Sequence, residues 1–95
     1  MKITLHTVLG LRQAIGRGKM EIELDPGSTV RDFVAYMKQR WGGRLSPHFI
    51  DPVNGTVLPH VRIMVNGRTI AFLKGMDTPL EEDDEVLILP LASGG

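Results

Sequence analysis

The stretch Val86-Leu87-Ile88-Leu89-Pro90-Leu91-Ala92-Ser93-Gly94-Gly95 decides how this chain is read. An apolar run of strand character meets a proline, small residues come next, and two glycines stand last. Both parities of the run are apolar, Val86 with Ile88 and Leu87 with Leu89, so it reads as an internal strand rather than a half-exposed edge. The residues after the run admit two readings. The glycines are a frayed end, as terminal residues often are, or the strand anchors a bare tail whose terminal carboxylate is the working part.

An internal strand needs neighbours, and the preceding chain supplies them. Residues 2–9 alternate, with Ile3, Leu5, Thr7 and Leu9 on one parity and Lys2, Thr4 and His6 on the other. Gly10 to Gly18 is punctuated by glycine and reads as a hairpin loop, after which Met20, Ile22 and Leu24 mark a second strand. Asp25-Pro26-Gly27 predicts a type II turn, and Ser28 or Thr29 a helix N-cap, with Asp32 favoured near the positive helix end. From Val30 the period changes to about 3.6, putting Val30, Phe33, Val34, Met37 and Trp41 on one stripe up to the Gly42-Gly43 stop.

Residues 44–60, with Pro47, Pro52, Asn54, Gly55 and Pro59, read as an irregular connection in which Phe49 and Ile50 dip towards the core edge. Val61 to Val65 alternates and closes on Asn66-Gly67, a tight-turn signal, with Arg68 to Ala71 as a short return strand. Phe72, Leu73, Gly75, Met76 and Leu80 suggest a packed loop, and Glu85 to Leu89 the last strand. One helix across one face of a mixed sheet is an α+β solution with a single core. Placing the last strand centrally beside the first gives the ubiquitin-like β-grasp, with four to five strands. The expected organisation is one domain over residues 1–90 and a flexible tail over 91–95.

Composition narrows the function. The chain of 95 residues is 42% hydrophobic, and a chain this size buries about 60–65% of its unfolded surface, enough for one core. It has no cysteine, which excludes disulfides, a thiolate nucleophile and cysteine-ligated metal, and fits a reducing cytoplasm. Eleven basic residues balance 11 acidic ones, so nothing marks a nucleic-acid binder. No signal-peptide core opens the sequence, and no apolar run approaches the roughly 20 residues of a membrane span. The expectation is a soluble, cytoplasmic protein.

No catalytic constellation stands out. Gly16-Arg17-Gly18-Lys19 fails as a phosphate loop, because Gln13 and Met20 occupy positions that need Gly and Ser or Thr. His6, His48 and His60 lack metal-ligand spacing. Glu81-Glu82-Asp83-Asp84-Glu85 is either a solvated turn or a patch steering a basic partner. Leu87, Leu89 and Leu91 lie on the parity away from the helix, so they pack a second face or form an apolar interaction patch.

With that order of elements in hand, Val61-Arg62-Ile63-Met64-Val65-Asn66-Gly67, Asp77-Thr78-Pro79-Leu80, Asp83-Asp84-Glu85-Val86 and Pro90 to Gly95 together resemble the sulfur-carrier family that includes the small subunit of molybdopterin synthase (MoaD) and the thiazole-synthesis carrier (ThiS). Asp83 stands where that family often has Gly, a position Asp tolerates in left-handed conformation. A single proline, Pro90, stands where molybdopterin-type carriers often have two, while the overall length and the 44–60 connection look more like that type than the shorter thiamine type.

The resemblance implies a carrier and not an enzyme. A ubiquitin-activating-like adenylyltransferase uses MgATP to adenylate Gly95, and sulfur from a persulfide-bearing enzyme leaves a thiocarboxylate there. The product then serves molybdopterin synthase's large subunit, or thiazole synthase in the thiamine alternative. A ubiquitin-like protein modifier is the alternative from another class. Gly95 would carry the chemistry, and Gly94, Ser93 and Ala92 would thread a narrow channel. Leu87, Leu89 and Leu91 would dock the partner, and no cofactor or metal would be bound.

Overall fold

The structure, a computed structural model, describes residues 1–46 and 48–91. Its elements are β1 (Lys2–Thr7), α1 (Leu9–Ile15), β2 (Lys19–Glu23), α2 (Val30–Trp41), β3 (Val61–Val65), β4 (Arg68–Thr69) and β5 (Glu85–Pro90), with short 3-10 turns at Gly42–Leu45, Ile70–Phe72 and Gly75–Asp77. The strands form one sheet in the order β2-β1-β5-β3-β4. β5 is central, parallel to β1 and antiparallel to β3, while β2 and β4 pair antiparallel at the two sides. This is the mixed sheet expected from the apolar character of both parities of residues 86–89.

The core lies between one sheet face and α2. Ile3, Leu5, Ile22, Ile63, Val65, Val86 and Ile88 come from the strands, and Val30, Phe33, Val34 and Met37 from the helix. Each such side chain contributes about 1.5–3 kcal/mol of transfer free energy when fully buried. α2 begins with a capping box: Thr29 accepts from the Asp32 amide, and the Asp32 carboxylate accepts from the Thr29 amide. Its first turn is tied to a distant segment, because Val30 N–H donates to the Thr78 carbonyl (2.9 Å) and Leu80 N–H to the Ser28 carbonyl (2.9 Å). Trp41, expected on the buried stripe, is half-buried at the helix end.

Four expectations need correcting. Gly10 to Gly18 is not a hairpin loop, because residues 9–15 form α1, closed by Gly16 in the left-handed region with its N–H donating to the Arg12 carbonyl. No side chain caps its N-terminus and no acid stabilises its first turn; burial of Leu11 holds it in place. Accordingly β1 stops at Thr7, and Leu9 is exposed rather than a strand core residue. The return strand β4 covers only Arg68–Thr69, as Ile70–Phe72 turn into a 3-10 segment stapled by the Thr69 hydroxyl accepting from the Ala71 amide. Of the expected packed loop, Leu80 is buried and Leu73 and Met76 pack against the core, but Phe72 stands out at 82% exposed. The 44–60 connection, by contrast, contributes deeply to the core: Leu45 and Phe49 are fully buried and Ile50 nearly so.

The turns behave as their residues dictate. Asn66 (φ 51°) and Gly67 (φ 82°) are both left-handed, the pair of positive angles that a two-residue turn between twisted strands requires. Asp83 is left-handed as well (φ 68°) and donates its N–H to the Lys2 carbonyl at 2.7 Å. Beside it the Asp84 carboxylate accepts from the Asn66 side-chain amide (2.9 Å) and from the Glu81 N–H (2.8 Å), while the Asn66 side-chain carbonyl accepts from the Glu85 N–H (2.9 Å). Part of the acidic run is therefore a structural clasp joining the β3–β4 turn to the start of β5.

At the other side of the sheet the Met1 ammonium donates to Glu23 (2.8 Å) and Lys2 pairs with Glu21 (3.0 Å). The hydrogen bond to Glu23 raises the amino-terminal pKa above 8.0, and the one to Glu21 raises that of Lys2 above 10.5.

Both networks can be tested by mutation. Asp84→Ala should destabilise the fold by roughly 0.5–1.5 kcal/mol in urea denaturation, since it removes the exposed hydrogen bonds from Asn66 and Glu81 and leaves those donors to water. Asn66→Ala in the same background should add less than it costs alone, because the two share one network. A folded-state pKa above the unfolded one stabilises below the unfolded value and loses that contribution as pH rises through the folded value. Stability should therefore fall as pH is raised past 8.0, and Glu23→Gln should flatten that fall in melts recorded across the range.

Candidate functional site

β5 divides its side chains between two faces. Val86 and Ile88 are fully buried under α2, whereas Leu87 and Leu89 are half-buried on the opposite, helix-free face. The register sets Leu87 between His6 of β1 and Met64 of β3, Leu89 beside Arg62, and Glu85 beside Thr4. His6 Nε2 lies 2.8 Å from Glu85 Oε1. A shallow depression of about 570 Å³ opens here, lined in part by His6, Met64, Asn66, Glu85 and Leu87. An apolar strip, Leu87 with Met64, bordered by a His–Glu pair and by Arg62, suits recognition of another protein surface.

The strand then carries the chain to the end of the sheet. In the β3–β5 ladder Leu91 N–H donates to the His60 carbonyl (2.8 Å) and Asn66 N–H to the Glu85 carbonyl (2.8 Å). Pairs 60–91 and 66–85 are therefore hydrogen-bonded, and the alternation makes Val61↔Pro90 a pair without such bonds. The Pro90 nitrogen therefore faces the β1 flank, where the β1–β5 ladder has already ended at Thr7↔Ile88, so the N–H that proline lacks has no ladder partner to lose. Leu91 is held at its backbone while its side chain is 38% exposed.

Of the residues singled out from sequence, Leu87 and Leu89 lie together on the open face, and Leu91 at the mouth of the sheet. Gly95, Gly94, Ser93 and Ala92 lie outside the described residues. His6, Arg62 and Met64 were not singled out with the leucines. Their signal was the strand parity of β1 and β3, legible only once the pairing partners of β5 are known. His48 packs against α1 at Gly10, where a methyl group would collide with its ring. Among the described residues no group of three or more His, Asp or Glu side chains is placed to hold a metal ion, and no helix is long and apolar enough to cross a membrane.

A five-stranded mixed sheet with its last strand central and one principal helix across it defines the ubiquitin-like β-grasp proteins. The match to the ThiS family runs over residues 9–95, and the chain belongs to that family. It is 30% identical over 95 residues to small archaeal modifier protein 3 of Haloferax volcanii, covering all of both chains. It is 33% identical to a putative sulfur carrier protein of Archaeoglobus fulgidus, over 90% of this chain and 93% of that one. A solved structure from Pyrococcus furiosus, described as a putative molybdopterin converting factor, subunit 1, superposes with a TM-score of 0.73 at 27% identity, covering 97% and 99% of the two chains. Such proteins are small sulfur carriers or ubiquitin-like modifiers.

The division of β5 into a core parity and an open parity is directly measurable. Ile88→Ala should cost about 2–5 kcal/mol as a core truncation. Leu87→Ala, one residue away on the half-buried face, should cost well under half as much in the same denaturant titration. A larger loss at Leu87 than at Ile88 would reverse the assignment.

Proposed function

We propose that this protein is a sulfur carrier whose Gly95 carboxylate is activated and converted to a thiocarboxylate, for delivery of sulfur in molybdopterin synthesis as the small subunit of the synthase. The observation that carries this reading is that the family match extends to residue 95 while the β5 ladder holds the backbone up to Leu91. The similarity to the Pyrococcus protein supports the molybdopterin assignment within the carriers.

The chemistry stems from what a carboxylate lacks. Its oxygen is a poor leaving group, so an activating partner of the ubiquitin-activating type transfers AMP from MgATP onto it and releases pyrophosphate. A persulfide sulfur attacks the acyl carbon and AMP departs, and a second thiol cleaves the resulting acyl disulfide to leave the thiocarboxylate. This chain has no cysteine, so both thiols belong to partners. Gly95 and Gly94 carry no Cβ, which lets the backbone approach the partner's phosphate and nucleophile closely, and Ser93 and Ala92 form a thin leader. On this reading Leu87, Leu89 and Leu91 dock the partner, and the chain itself holds no cofactor.

The Haloferax relative favours a second reading, a ubiquitin-like modifier joined through Gly95 to lysine side chains. One reconstitution separates the two. Incubation with the activating enzyme, MgATP and a persulfide donor should replace one oxygen by sulfur in the intact mass, and Gly95 deletion should abolish the change. Subsequent addition of the molybdopterin synthase large subunit and its pterin substrate should return the carrier to its starting mass. An unchanged mass with an enzyme active on its own carrier would overturn the carrier reading, and isopeptide-linked conjugates in its place would select the modifier.

A further inference from the structure

The sheet has two uncovered edges, and they differ in kind. β2 pairs only with β1 among the described residues, and its outward residues Lys19, Glu21 and Glu23 are charged, the usual protection of an edge against unwanted pairing. β3 is covered on its outer side only at Met64 and Val65, by the two residues of β4. Alongside Val61, Arg62 and Ile63 the described residues place no strand but a groove of about 460 Å³, walled on its far side by Ile70, Phe72 and Met76.

This second edge is not defended. The even residues of β3 address β5, as the 60–91 and 66–85 hydrogen bonds show, so the backbone groups of Val61 and Ile63 turn to the groove. Val61 N–H is already taken by the Leu58 carbonyl (3.0 Å) and the Ile63 carbonyl faces residue 70 in the continuation of the β3–β4 ladder, which leaves the Val61 carbonyl and the Ile63 amide addressing the groove. Among the described residues lining it, Arg62 is the one with a charge, and none is a carboxylate. Phe72 stands at its rim 82% exposed, a large aromatic in the position of an interface anchor. The groove is also continuous with the outlet of the tail: Val61 pairs with Pro90, and the His60 carbonyl holds Leu91.

We propose that this groove is a docking edge for the enzyme that receives and activates the tail, which lays an extended apolar segment against β3 with an acidic side chain set on Arg62. Strand addition supplies backbone hydrogen bonds and the wall residues supply pockets, beside the strand end at Leu91 after which residues 92–95 follow in the sequence. The inference rests on the reading of Gly95 as the reacting end, but its test does not.

Direct binding of the full chain to the purified activating enzyme, measured without ATP, reads the groove whether or not Gly95 is modified. Phe72→Ala and Phe72→Glu should each weaken it about tenfold, the effect expected of an interface anchor, with melting curves unchanged because that side chain is exposed and lies away from the Leu87–Leu89 face. Where adenylation proceeds, both variants should raise KM and leave kcat alone. Exchange of the Ile63 amide with solvent deuterium should slow in the complex, as a new strand partner requires. Unchanged affinity in both variants, or an Ile63 amide exchanging as fast in the complex as in the free chain, would overturn the proposal. So would self-association that Phe72→Ala abolishes while enzyme binding persists, since the groove would then belong to a second copy.

Discussion

The parallel ladder between β1 and β5 is the constraint on which the rest of the molecule depends. It joins Thr4 to Glu85 and Thr7 to Ile88, and it brings His6 and Glu85, 79 positions apart in the chain, to within 2.8 Å. Parallel neighbours cannot be joined by a tight hairpin, so everything between them serves as the crossover, with α2 lying over the face that it must cover. Closing so long a loop has an entropic cost, offset by the buried Leu5, Val86 and Ile88 on that ladder. β3 can then join the free side of β5, and the Asn66–Asp84 clasp locks the turn beside it.

Much of this was legible from residue chemistry, for reasons that differ by element. α2 announced itself through Thr29, Asp32 and a regular apolar stripe, each a local signal with a local cause. Asn66-Gly67 and Asp83 were legible because few residues tolerate the backbone angles found there. The central place of β5 was written in the apolar residues of both its parities. α1 was obscured because it lacks the N-terminal signals of a helix and depends on Leu11 reaching a core made by other elements. The spacing of Leu11 and Ile15 with Gly16 after them was the trace it left. Leu45, Phe49 and Ile50 sit in a segment without periodicity, so their burial is decided by tertiary placement alone.

The candidate site was legible in part. The parity of Leu87 and Leu89 was correct, but an apolar face is defined by its neighbours across the strands, and Met64, His6 and Arg62 enter only through the register. The acidic run offered two meanings, and the structure gives Asp83 and Asp84 backbone duties within the turn. The result is a division of labour across one sheet: one face makes the stability, the other is left for recognition, and the strand between them leads towards the chain end.

The place of β5 also determines how the molecule bears mechanical load. A pull applied beyond Leu91 runs along the strand, against hydrogen bonds to β1 on one flank and β3 on the other. Those bonds are loaded side by side and must yield together, in shear, rather than peel open one at a time. Force along β5 would therefore load its two ladders in shear, while force applied across the β3–β4 turn would unzip that pair from its tip.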